Sequence, residues 1–177
     1  MSDLARVAVS SCLVGQAVRY DGGHKRAAWI DELERAPRLE LVSVCPEVEA
    51  GFGVPRLPIQ VERAGSKLRL RVVETGEDVS EPMARFARLQ IQAWERHPID
   101  GYLFKARSPS CGLVDASYLI EGIEGQKGPG VWARQVQARW PDLPITDETE
   151  LADPSARKRF VERVLEHHAR RSAVSRS

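Results

Sequence analysis

Short apolar runs alternate with helically spaced stripes along the chain. Arg6 to Ser10 (RVAVS) is a Val-rich run that predicts a buried strand ending at Ser11-Cys12. Ala27 to Leu33 reads as the start of a helix ending near Pro37. Leu39 to Val44 (LELVSV) predicts a second strand that runs directly into Cys45-Pro46-Glu47. The Gly/Pro-rich stretch from Gly51 to Pro58 breaks regular structure. Ile59 to Arg63 and Leu68 to Val72 alternate apolar and polar residues about Ala64-Gly65-Ser66-Lys67, the pattern of a β-hairpin outside the main sheet. Ser80 is placed to cap a long helix with Pro82 in its first turn, and Met83, Phe86, Ala87, Gln90, Ile91 and Trp94 share one face of it. Gly101 to Ala106 (GYLFKA) predicts a third strand, just before Arg107-Ser108-Pro109-Ser110-Cys111-Gly112. A Gly-rich segment, Glu121 to Gly130, opens into a helix through Trp132 and Val136. Leu143 to Thr146 predicts a fourth short strand. Asp153 and Pro154 begin a last helix, about 154–170, with Phe160, Val161, Val164 and Leu165 on its buried stripe. Residues from about Arg170 onward are expected to fray.

Strands alternating with helices place the chain in the α/β class. The expectation is a three-layer, mostly parallel sheet with a small inserted hairpin and a C-terminal helix, in one domain over residues 1–177. Ligands of such sheets bind beyond the carboxyl ends of the strands, near a topological switch point. Cys12, Cys45 and Cys111 each follow the carboxyl end of a predicted strand. If those strands are parallel neighbours, the three thiols converge at one pole of the sheet.

Composition narrows the function classes. Lys and Arg number 26 against 25 Asp and Glu, for a formal charge of +1. Near-neutrality leaves no electrostatic footprint for nucleic acid. The N-terminal apolar patch has neither the length of a membrane span nor the h-region of a signal peptide, so a cytoplasmic protein with reduced thiols and no membrane partner is expected. No CxxC pair is present, which removes support for zinc ribbons and thioredoxin-type motifs.

Three convergent thiolates are soft ligands for zinc, copper(I) or an iron–sulfur cluster. Structural zinc takes four protein ligands, and a fourth Cys is absent. Of His24, His97, His167 and His168, only His24 falls in an obvious strand-end loop. A [4Fe–4S] cluster held by three cysteines would leave one iron open to a substrate atom. Against this stand plainer readings: small buried hydrophobes for the cysteines, a helix-capping carboxylate for Glu47, and a turn hydroxyl for Ser108.

The loops themselves resemble the 2-thiouracil desulfidase family. The resemblance rests on Ser10-Ser11-Cys12-Leu13-Val14-Gly15 with Val18-Arg19-Tyr20-Asp21-Gly22-Gly23, on Cys45-Pro46-Glu47, and on Lys105-x-Arg107-Ser108-Pro109-Ser110-Cys111-Gly112. It covers about residues 5–150. The resemblance implies a Rossmann-like fold and a [4Fe–4S] cluster ligated by Cys12, Cys45 and Cys111. It further implies a catalytic glutamate at Glu47, a proton-handling serine at Ser108, and hydrolysis of 2-thiouracil, a small thiolated pyrimidine, to uracil and hydrogen sulfide. Ser11, Asp21 and Ser110 are expected at the pyrimidine edge, and the Gly122–Gly130 segment is a candidate cover for the cluster.

Three other readings compete. One keeps the cluster but takes a thiolated nucleoside, nucleotide or tRNA, the last disfavoured by charge. Another is a non-catalytic iron–sulfur or sulfide sensor, and a third is a persulfide carrier with a single reactive cysteine.

Overall fold

A computed structural model describes residues 4–174 of the chain. Among these residues the strands are β1 (Ala5–Ser10), β2 (Leu39–Val44), β3 (Ile59–Ala64), β4 (Lys67–Val72), β5 (Gly101–Phe104), β6 (Ala116–Ile120), β7 (Ile123–Gly128) and β8 (Ile145–Asp147). The helices are α1 (Ile30–Glu34), α2 (Pro46–Glu49), α3 (Ser80–Arg96), α4 (Val131–Arg139) and α5 (Pro154–Val174).

The main sheet has the order β2-β1-β5-β8 and is parallel throughout. Alternate residues serve its two faces, as the pleat demands. Val7, Val9 and Leu103 pack with Ile30, Leu33, Phe160 and Val164 of α1 and α5. Ala8, Tyr102 and Phe104 face the other way, toward Met83, Phe86 and Trp94 of α3 and Trp132 and Val136 of α4. Cover on both faces explains why β1 and β5 read as continuous apolar runs. This is the Rossmann-like three-layer arrangement expected. No helix among the described residues is long and apolar enough to cross a membrane.

Sequence and structure part at several places. The predicted hairpin, β3–β4, does lie outside the main sheet, but it is half of a second four-stranded sheet of order β4-β3-β6-β7. Strand β7 comes from the Gly-rich segment expected as a loop. Glu121 and Gly122 both have positive φ, 51° and 79°, and join β6 to β7 through a two-residue turn.

Ser80 is the first helical residue of α3 and not its cap. Its hydroxyl accepts from Leu70 N–H at 2.8 Å, while its own N–H donates to Asp78 Oδ1 at 3.0 Å. Helix α1 is also shorter at its start than the Ala27–Leu33 pattern predicts.

Helix α5 does not fray at Arg170. It stays regular to Val174, because His168 and Arg171 grip the buried Asp100 carboxylate just before β5. Residues 175–177, part of the same expectation, lie outside the described residues. Gly101 lets α5 approach, since a Cβ there would meet Val164 Cγ2 at 2.6 Å.

Candidate active site

The carboxyl ends of β2, β1 and β5 open onto one cavity of about 320 Å³. Each strand delivers a loop to it. Beyond β1 the chain tightens into a 3-10 turn, Ser11–Val14, closed by Gly15 at φ 92°. Cys12 lies in that turn with 8% exposure, packed in the α1/α5 core. Beyond β2, Cys45 is the residue before α2, and its N–H donates to Glu49 Oε1 at 3.2 Å. Pro46 then starts the short helix that lifts Glu47 to the cavity wall. Beyond β5, Cys111 is 5% exposed and packs in the α3/α4 core.

Ser108 builds the third loop. Its Oγ accepts the N–H groups of Ser110 at 3.2 Å and Cys111 at 3.0 Å, and its carbonyl accepts from Gly112 at 2.9 Å. Gly130 lies directly against this loop: a Cβ there would stand 2.5 Å from the Ser110 carbonyl. Only the end of the Gly122–Gly130 segment, at Gly130, backs the Cys111 loop; most of the rest is β7, paired with β6. The segment does not line the cavity, so the expected cover over the cysteines is absent from this arrangement.

All three thiols line the cavity. Burial pushes the Cys12 thiol up to about 11, with Lys105 and Arg19 working to lower it and Cys45 adding to the rise. Burial likewise raises Cys45, and Cys111 well above the ordinary thiol range, where Cys45 and Cys12 add to the effect. The thiols thus sense one another's charge. Yet among the described residues no three His, Cys, Asp or Glu side chains form a group that could hold a metal ion.

Glu47 presents a carboxylate whose two oxygens are both held. Oε2 accepts from Arg56 Nε at 2.8 Å and Nη2 at 2.6 Å, and Oε1 accepts from Ser110 Oγ at 2.8 Å. Lys105 pairs with Glu148 and donates to the Ala106 carbonyl at 2.8 Å, fixing the end of β5.

Of the other residues singled out in the sequence, Ser11 and Ser108 line the cavity. Ser110 and Asp21 do not. Ser110 is fully buried behind Glu47, its hydroxyl spent on that carboxylate. Asp21 Oδ1 turns onto the Gly23 N–H at 3.0 Å, closing its own turn. Arg56 was missed. Its one sequence signal is that it is the lone charge in the Gly51–Pro58 stretch.

Comparison with known proteins bears on the family and the fold. The profile of the 2-thiouracil desulfurase family matches residues 7–148. The uncharacterised protein YbbK of Bacillus subtilis (strain 168) is 28% identical over 153 residues, which is 83% of this chain and 98% of that protein. A solved structure described as a [4Fe-4S]-dependent thiouracil desulfidase, TudS, superposes with a TM-score of 0.64 at 31% identity, covering 84% of this chain and 93% of that one. The family profile spans most of the chain and the solved relative shares its fold: the chain belongs to the 2-thiouracil desulfurase family.

Proposed function

We propose that this chain is a [4Fe–4S]-dependent desulfidase that hydrolyses a thiocarbonyl of the 2-thiouracil type to the carbonyl and hydrogen sulfide, without net redox change. The observation that carries the reading is that Cys12, Cys45, Cys111 and the Glu47 carboxylate share one cavity. The donor set fits the cluster. Thiolates are the ligands iron–sulfur clusters take, and each cysteine of such a site occupies a different iron. A lone tetrahedral ion would instead draw its thiolates to about 2.3 Å of one centre and take a fourth protein ligand. Lys105 and Arg19 lower the cost of keeping the buried Cys12 thiolate charged. When bound, the cluster supplies a Lewis-acidic iron that polarises the substrate through its sulfur.

The chain's own residues do the rest. Glu47 is held at the wall to orient and deprotonate the attacking water. Ser108 spends its lone pairs on two backbone N–H groups, which leaves its hydroxyl proton as the group it can offer a substrate. Ser11 offers a second hydroxyl on the same wall. The reading places the protein in the cytoplasm, where its thiols stay reduced.

A thiolated nucleotide is the second reading. Lys25 and Arg107 line the cavity outside the Arg56–Glu47, Lys105–Glu148 and Arg19–Asp21 ion pairs, and two such cations suit a substrate that carries an anionic substituent.

The test is anaerobic turnover by the cluster-loaded protein, with the oxygen-bearing base and sulfide measured together. Equal yields of uracil and sulfide from 2-thiouracil, lost in Glu47→Gln while the iron stays, is the expected result. Cluster-loaded protein that releases no sulfide from either thiouracil or its nucleotide contradicts the reading.

A further inference from the structure

Arg56 lies outside the three cysteine loops, yet it touches two of the segments that bear them. Its Nε and Nη2 converge on Glu47 Oε2, while Nη1 donates to the carbonyls of Val18 at 2.8 Å and Gly53 at 3.0 Å. Its own N–H donates to the Tyr20 carbonyl at 2.9 Å. One guanidinium therefore ties the loop after β1 to the helix after β2. The ion pair is removed from solvent, with side-chain exposures of 7% for Arg56 and 12% for Glu47. Ser110 Oγ fixes the remaining oxygen from a third segment.

A glutamate side chain has three rotatable bonds, and an unrestrained one samples many rotamers that carry its carboxylate off the wall. A planar guanidinium that bonds one oxygen through two nitrogens permits few of them. We propose that Arg56 is the positioning residue for Glu47, fixing the carboxylate toward the cavity with Ser110 as the second point of attachment. The inference rests on the reading of Glu47 as the carboxylate that handles the attacking water. Arg56 acts through Glu47 and contacts no reacting atom.

The experiment compares cluster-loaded parent, Arg56→Gln, Arg56→Lys, Glu47→Gln and the Arg56→Gln/Glu47→Gln double variant. Iron content, melting temperature, kcat and KM are read for each. Arg56→Gln is expected to keep the parent's iron and to leave KM within about threefold while kcat falls about a hundredfold, the scale of a catalytic group displaced by about an ångström. Arg56→Lys restores part of kcat, since lysine returns the charge without the fork. The double variant turns over no more slowly than Glu47→Gln alone, and it melts higher than Arg56→Gln, because removing one partner strands a buried charge and removing both does not.

Turnover of Arg56→Gln close to the parent's, with Glu47→Gln inactive, overturns the inference and leaves the functional reading standing. Loss of iron in both Arg56 variants overturns it in favour of a purely structural loop tie. Should Arg56→Gln fail to fold, Arg56→Lys decides: full kcat overturns positioning by the fork, and a reduced kcat with iron retained supports it. Normal turnover by Glu47→Gln removes the role given to Glu47 and the inference together, with the desulfidase activity itself intact.

Discussion

Arg171 grips Asp100 with both arms of its guanidinium, Nε donating to Oδ1 at 2.9 Å and Nη2 to Oδ2 at 3.1 Å. Asp100 lies just before β5, at the pole opposite the cavity, and is wholly buried. It also accepts from the Arg6 N–H at 3.0 Å and pairs with His168 Nδ1 at 2.9 Å, with His167 Nδ1 at 3.5 Å. This carboxylate fastens the last helix to the first and third strands of the main sheet. Burial works to raise its pKa, but the nearby His167 ring and hydrogen bonds with Arg171, His168 and the Arg6 N–H outweigh that and hold it well below the ordinary carboxylate range.

Asp100→Asn leaves Arg171 facing an amide in a buried site. A cost of about 2–4 kcal/mol is expected, since Arg171 retains some water. The pH dependence has a definite sign. A carboxyl held lower in the folded chain contributes fully above its unfolded value, about 3.9, and that contribution is lost as pH falls through the folded value. Thermal melts of the parent should therefore steepen in their decline below about pH 4, and those of Asp100→Asn should decline less. Parallel declines contradict the assignment.

In the α3/α4 core, Trp132 Nε1 donates to the Tyr102 hydroxyl at 3.0 Å, and both residues are fully buried. Tyr102→Phe keeps the ring stacked on Phe104 but leaves the indole N–H without an acceptor. Denaturant unfolding should show a loss of about 1–3 kcal/mol. Iron binding should be unchanged, because neither group lines the cavity.

Gly130 at the start of α4 is a more direct link to the site. Its backbone (φ −59°) suits alanine, but the added methyl would stand 2.5 Å from Ser110 and 2.8 Å from the Pro109 carbonyl. Gly130→Ala should therefore push the Cys111 loop out of place. Destabilisation of about 1–3 kcal/mol is expected, with iron retained below the parent's level after reconstitution. Full retention would mean the loop yields without moving Cys111.

The parts of this molecule legible in its sequence are those set by local pattern. Strand β2 falls where its apolar run predicts, and β1 extends one residue beyond Arg6. The apolar face of α3 buries Met83, Phe86, Ala87 and Trp94. Strand β5 ends at Phe104, short of Ala106, because the next two N–H groups leave the ladder for Ser10 Oγ and Glu148. Both partners are remote in sequence. Strand β7 was illegible because it is mostly polar and exposed, so it carries no alternation. The same division holds at the site. The cysteine loops follow from their position after parallel strands, whereas Arg56 and Glu148 gain their meaning only when distant segments meet. Ser110 could be placed near Cys111 by sequence, but not turned toward Glu47.

The central claim is that Cys12, Cys45 and Cys111 together hold a four-iron cluster. The most direct measurement is iron and acid-labile sulfide per chain after anaerobic reconstitution, with Cys12→Ala, Cys45→Ala and Cys111→Ala beside the parent. About four irons and four sulfides in the parent, with loss in every variant, is the predicted result. No iron uptake, or uptake indifferent to all three cysteines, would contradict the account and favour a persulfide carrier.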